Sequence, residues 1–182
     1  MAIPVMSPAE AREHAAFTAL MWALSYPGRP QRLPARGLAA FGAIAAALVD
    51  LETGYFTPDA ALAAALAETG GRALTPERAP YQFYPRLTAP ELDALRLAPV
   101  GTYAYPDLGA TLVLGCALGS GPTLSLTGPG ISGSVQLRVE GLPEQLWALR
   151  TAAGPFPLGW DLLLVDGDQV VGLPRSTAVE VR

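Results

Sequence analysis

The chain has 182 residues, 51% of them apolar and 15% charged, with a formal net charge of −4 from 12 basic and 16 acidic side chains. This balance excludes intrinsic disorder, and the absence of any Lys/Arg block argues against a nucleic-acid groove. Every basic residue is arginine; with no lysine to form an internal aldimine, pyridoxal-phosphate (PLP) catalysis is excluded and no cofactor is expected.

The opening stretch MAIPVMSPAEAREH has neither a basic n-region nor an apolar h-region, so export is not expected. Ser7-Pro8-Ala9-Glu10 reads as a capping box with proline at the first helical position. The helix that follows sets Phe17, Leu20, Met21 and Leu24 on one face. Ser25-Tyr26-Pro27-Gly28 ends it. A second helix is expected over 38–49, the longest apolar run, which is too short to span a bilayer. The expectation is a cytoplasmic protein without membrane contact.

Residues 52–57 read as a short strand, and Thr57-Pro58-Asp59 opens an alanine-rich helix closed by Gly70-Gly71. Thr88-Ala89-Pro90-Glu91 is a further capped start, leading into LDAL. From Gly109 the pattern changes to strands. Residues 110–118 and 123–127 flank Gly119-Ser120-Gly121-Pro122, which reads as a hairpin turn. Pro143 opens a helix to about Ala152, and two strands, 162–165 and 169–173, meet at the tight turn Asp166-Gly167-Asp168. Helices and strands interleave without repeats or a long linker. The expected fold is a single α/β domain over 1–182, a mixed β-sheet covered by helices.

Candidate chemistry is sparse. His14 is the sole histidine and lies on the Phe17 face, which favours a packed or capping role; no metal-ligand spacing surrounds it. Cys116 sits in the apolar run TLVLGCALG, with no neighbouring charge to make a thiolate, and a single cysteine forms no internal disulfide. Thr127-Gly128-Pro129-Gly130 could present amides to an anion or a partner subunit, but it matches no phosphate-loop signature. Phe156-Pro157-Leu158-Gly159-Trp160-Asp161 combines a fixed backbone path with aromatics suited to a docking edge, Phe156 and Trp160 as anchors. Asp161 could act as an acid or base. Pro174-Arg175-Ser176-Thr177 offers a guanidinium and two hydroxyls, a set suited to phosphate or carboxylate.

Taken in order, FTALMWALSYPG, TAPELDAL, GATLVLGCAL with LSLTGPGI, LPEQLWAL, PFPLGWDLLL and LPRSTAVEV resemble the PhnH family over nearly the whole chain, least so between about 29 and 86. The chain departs from the family at Thr18, where members often carry Arg, and at Ser176-Thr177, where they often carry paired threonines. The resemblance implies a fold similar to the large domain of PLP-dependent transferases without the cofactor. It also implies a subunit that homodimerises and joins PhnG, PhnI and PhnJ in the carbon–phosphorus lyase core complex. That system couples alkylphosphonate to the ribose of ATP with loss of adenine, giving ribose 1-methylphosphonate 5-triphosphate. The expected role is a structural or accessory subunit, with Gly128, Gly130, Phe156, Trp160, Asp161, Arg175, Ser176 and Thr177 as ligand or partner contacts. The alternative is a subunit that itself contacts ATP or phosphonate through Arg175, Ser176 and the TGPG loop. A stand-alone enzyme using Asp161 or His14 is a third reading.

Overall fold

The computed structural model describes residues 6–182; the first five, part of the stretch read for an export signal, lie outside it. In chain order the elements are α1 (Pro8–Ser25), β1 (Gln31–Arg32), α2 (Leu38–Leu48), β2 (Gly54–Phe56), α3 (Ala60–Ala67), β3 (Arg72–Ala73), β4 (Tyr81–Tyr84) and α4 (Ala89–Leu95). A 3-10 turn (Pro106–Leu108) precedes β5 (Thr111–Gly115), β6 (Ala117–Thr127), β7 (Val135–Glu140), α5 (Gln145–Ala152), β8 (Asp161–Asp166), β9 (Gln169–Leu173) and β10 (Ala178–Val181).

A seven-stranded mixed sheet runs in the order β1-β9-β8-β5-β4-β2-β3, and a three-stranded sheet in the order β10-β6-β7. Neighbours from β8 through β3 are parallel, and β9 is antiparallel to β8 and β1. Side chains alternate across the large sheet. Leu112, Leu114, Leu162 and Leu164 point into a core shared with α4, α5 and the small sheet. Val113, Leu163 and Val165 point into a second core beneath α1, α2 and α3. Burial on both faces explains why LLLV, residues 162–165, reads as an unbroken apolar run. The domain is thus α/β with a mixed sheet between helical layers, as expected, with a second sheet added to one face.

Local signals account for most helix starts. Ser7 and Glu10 close a capping box on α1, the Ser7 N–H donating to Glu10 Oε2 at 2.7 Å. Thr88 and Glu91 do the same for α4. Asp59 accepts from the Leu62 N–H at 2.8 Å to start α3. The β8–β9 hairpin turns on Gly167 and Asp168, with Gly167 at φ 58 in the first central position, as a type II′ turn requires.

Three expectations are corrected. The hairpin across Gly119–Pro122 does not form. The strand 110–118 splits at Cys116: β5 enters the large sheet between β4 and β8, and β6 runs on through Gly119–Pro122 in the small sheet. Those glycines form a wide bulge opposite β7, where the register passes from Leu118↔Val139 to Thr123↔Arg138. The true hairpin partner of β6 is β7, reached through the TGPG loop.

The second correction concerns the apolar face of α1. Ala16, Ala19, Leu20 and Ala23 are buried, whereas Phe17 and Met21 are 52% and 44% exposed. The helix docks by its small residues because its backbone lies against β9: a Cβ on Gly172 would fall 2.6 Å from the Ala23 carbonyl carbon. His14, on the outward side, is exposed rather than packed. Finally, β4, β7 and β10 were not foreseen as strands. In β4, buried Gln82 accepts from the Tyr84 hydroxyl (2.7 Å) and donates to the Pro76 carbonyl (2.6 Å), which lets an amide occupy the core.

Candidate functional site

The C-terminal motifs converge at the end of the large sheet where the central strands β5 and β8 begin. Asp161 opens β8, and Arg175 lies in the link from β9 to β10. Nη2 of Arg175 donates to Asp161 Oδ2 at 2.6 Å, Nε donates to the same oxygen at 3.1 Å, and the Arg175 backbone N–H donates to Oδ1 at 2.7 Å. The guanidinium also reaches back to loop 97–109, donating from Nη1 to the Pro106 carbonyl and from Nη2 to the Gly109 carbonyl (3.2 Å). Its side chain is 14% exposed and that of Asp161 22%. One Nη1 hydrogen is left for any other partner. Asp161 is therefore held as an ion-pair partner, with its two oxygens facing the same arginine.

Thr177 is buried, and its carbonyl accepts from Nη1 of Arg150 at 2.9 Å, while the Pro174 carbonyl accepts from Nη2 at 2.6 Å. Burial pulls the Arg150 guanidinium below the ordinary arginine range, with Asp161 opposing the shift. Among the described residues, the buried Nε of Arg150 and the buried Thr177 hydroxyl find no hydrogen-bond partner. Ser176 is half-buried. The glycines of the TGPG loop serve close packing. A Cβ on Gly128 would fall 2.8 Å from the Ser176 carbonyl oxygen, and one on Gly130 would fall 2.5 Å from that of Ser25. The structure thus joins the SYPG turn, the TGPG loop and the LPRST segment, three motifs far apart in sequence.

The two aromatics of PFPLGWD separate. Trp160 is 3% exposed, its Nε1–H donating to the Ala98 carbonyl at 3.2 Å, so it belongs to the core rather than to an exposed edge. Phe156 is 68% exposed. The loop that carries it is tied to loop 97–109 by the Gly159 N–H donating to the Val100 carbonyl (2.9 Å). That neighbouring loop exposes Tyr103, Tyr105 and Leu108. Its tip is closed by reciprocal backbone bonds between Thr102 and Tyr105, both 3.1 Å. The outcome is a platform of two hydrogen-bonded loops that expose apolar side chains, held at Pro106 and Gly109 by Arg175. Sequence reasoning passed over Tyr103, Tyr105 and Leu108, because GTYAYPDLG has no periodicity; its only signal was two tyrosines in a stretch too short of apolar neighbours to bury them.

The opposite end of the sheet, at the carboxyl ends of the parallel strands, is where open α/β sheets ordinarily take ligands. Here a cavity of about 280 Å³ is lined by Gly37, Leu38, Phe41, Pro85, Gly115, Cys116, Val165 and Gly167. It is small for a nucleotide, and Cys116 is its one titratable group. Burial, then the charge of Asp166, pushes that thiol up to about 12. Cys116 is therefore expected to react with a maleimide at pH 8 more than about a hundredfold more slowly than free cysteine, and to reach the free rate once urea unfolds the chain. A native-state rate near that of free cysteine would contradict the burial. Among the described residues no three His, Cys, Asp or Glu side chains gather in a way that could hold a metal ion, and no helix is long and apolar enough to cross a membrane.

The fold and these contacts define a class: an α/β domain whose Asp161–Arg175 cluster fastens loops that expose apolar side chains. Residues 6–180 match the family described as bacterial phosphonate metabolism protein (PhnH), and the chain belongs to that family. Over 175 residues it is 35% identical to a protein of Stutzerimonas stutzeri named as a C-P lyase subunit, HtxG, covering 94% of this chain and 87% of that one. Over 85 residues it is 41% identical to the alpha-D-ribose 1-methylphosphonate 5-triphosphate synthase subunit PhnH of Rhizobium meliloti (strain 1021), covering 44% and 42% of the two chains.

Proposed function

We propose that the chain is an accessory subunit of a carbon–phosphorus lyase core complex in the cytoplasm, and that it supports phosphonate activation by docking rather than by chemistry of its own. The reaction served in this reading is transfer of alkylphosphonate to the ribose of ATP with loss of adenine; the name of one relative, a subunit of alpha-D-ribose 1-methylphosphonate 5-triphosphate synthase, supports the product. Its partners in this reading are PhnG, PhnI and PhnJ, together with a second copy of itself. The fold is read as that of a PLP-transferase large domain without cofactor; a seven-stranded mixed sheet with helices on both faces supports this.

One observation carries the docking role: Tyr103, Tyr105, Leu108 and Phe156 are all more than half exposed on loops fastened by Arg175 and Gly159. Rigid exposed aromatics lose little entropy on binding and dominate interface energetics. The alternative, direct contact of Arg175 with ATP or phosphonate, is disfavoured because that guanidinium already serves Asp161, Pro106 and Gly109. Co-expression with PhnG, PhnI and PhnJ tests the proposal. The wild-type chain is expected to co-purify with them, and Phe156→Asp with Tyr105→Asp to cut recovery at least about tenfold without moving the unfolding midpoint. Undiminished recovery of the double variant would overturn the platform as the docking surface.

A further inference from the structure

Arg150 stands in the last turn of α5, a helix seated in the core by the buried side chains of Leu146 and Trp147. Its guanidinium spans the link between β9 and β10. Nη2 donates to the Pro174 carbonyl and Nη1 to the Thr177 carbonyl, the residues that flank Arg175-Ser176. Residues 174–177 belong to neither strand ladder: β9 ends at Leu173 in the large sheet, and β10 begins at Ala178 in the small one. The sheets fix only the ends of the link. Its course between them is set by Arg150, by the Thr177 N–H donating to the Pro174 carbonyl (2.8 Å) and by the close approach of Gly128 to the Ser176 carbonyl. From this link Arg175 reaches the Pro106 and Gly109 carbonyls of loop 97–109. Two guanidiniums therefore stand in series, the first joining α5 to the link and the second joining the link to the loop.

Stability alone does not account for an arginine at position 150. The side chain is largely buried, and the carboxylate whose charge acts on it, Asp161, is bonded to Arg175 instead. Its Nε finds no hydrogen-bond partner among the described residues. Desolvation of the cation offsets most of what two bonds to neutral carbonyls return, and an apolar side chain of similar length fills such a space with little or no net loss. An apolar side chain would not hold two carbonyls in a fixed relation.

We infer that Arg150 is a positioning residue: by gripping the carbonyls that flank Arg175-Ser176, it sets where the Arg175 guanidinium meets loop 97–109 and so keeps the Tyr103–Phe156 platform in order. The inference rests on the docking role proposed above. It adds a residue whose own hydrogen bonds all lie outside the platform loops.

Arg150→Met and Arg150→Lys in the full-length chain test this. The thermal midpoint of Arg150→Met is expected to stay within about 4 °C of the wild type, because relief of desolvation offsets the bonds lost. Hydrogen exchange at Tyr105, Leu108 and Gly109, whose amides are bonded within the loop, is expected to quicken at least about tenfold, with the amides of α2 unchanged. Recovery with co-expressed PhnG, PhnI and PhnJ is expected to fall at least about fivefold. Arg150→Lys keeps the charge but not the planar fork, and its loop exchange is expected to lie between those of Arg150→Met and the wild type. Loop exchange unchanged in both variants would overturn the inference. A larger drop in midpoint, or a chain that fails to fold, would overturn it too, since Arg150 would then support the whole fold. Quickened loop exchange with undiminished recovery would leave the role of Arg150 in place and overturn the platform as the docking surface.

Discussion

Arg175→Ala is expected to cost about 3–5 kcal/mol of folding stability, lowering the thermal midpoint by about 10 °C for a chain of this length. The loss has three parts. Asp161 keeps only the Arg175 backbone N–H and becomes a largely buried carboxylate whose remaining neighbouring cation, Arg150, is bonded to the Thr177 and Pro174 carbonyls instead. The Pro106 and Gly109 carbonyls lose their donors. Loop 97–109 loses its tether to the β9–β10 link, so the aromatic platform above it loosens. Arg175→Lys is expected to recover only part of this, since an ammonium cannot span two carboxylate oxygens and two carbonyls as a planar fork does. Arg32→Ala supplies the contrast. That arginine is 81% exposed and lies 3.5 Å from Asp168, a surface pair whose loss should barely move the midpoint. Urea unfolding with unchanged slope checks each value. Had Arg175 been chiefly an anion contact, its removal would spare stability and weaken ligand binding, the reverse of the pattern expected.

Gly172→Ala is expected to cost about 3 kcal/mol, the upper end for overpacking a core. The added Cβ would lie 2.6 Å from the Ala23 carbonyl carbon and oxygen and 2.8 Å from the Leu24 nitrogen. These are main-chain atoms of α1, so relief requires lifting the whole helix from β9. Two controls isolate the cause. Ala23→Gly added to Gly172→Ala should restore nothing, because the collision is with backbone. Gly54→Ala, whose Cβ would collide mainly with the Leu74 side chain and come no nearer than 3.2 Å to backbone, at the Arg72 carbonyl oxygen, should cost less. Denaturation of the four proteins decides the matter, and a rescue by Ala23→Gly would show that the helix rests on its side chain instead.

The same contact explains what could be read from the sequence and what could not. Capping boxes at Ser7 and Thr88 and the Gly167 turn are written in adjacent residues, so their chemistry is complete within a few positions. The face of α1 is different. Periodicity identifies apolar stripes but not which one packs, and the choice fell to alanines because Gly172, some 150 residues away, offers bare backbone. The Gly119–Pro122 segment has turn chemistry, but it serves equally as a bulge, and the distant partners β4 and β8 draw β5 into the other sheet. β4, boxed between Pro80 and Pro85, shows no alternation because it is covered on both faces. At the candidate site, Phe156, Asp161 and Arg175 each stood out alone. Their joint role depends on a salt bridge across 14 residues and on a loop another 50 residues upstream.

The seat of α1 and β1 has a consequence for how the chain comes into being. Both elements rest on β9, through the Gly172 contact and the pairing of Gln31 with Val170. That strand emerges from the ribosome only after residues 34–168 have been made. Throughout that interval the apolar side of the first helix has no sheet to lie on, and the outermost position of the large sheet stays vacant. The large sheet is therefore closed by segments more than 130 residues apart, about the span from β1 to β9, a non-local pairing that is slow by nature and leaves apolar surface open meanwhile. A nascent chain halted before β9 holds a first helix that can lean on α2 but has no strand to seat it.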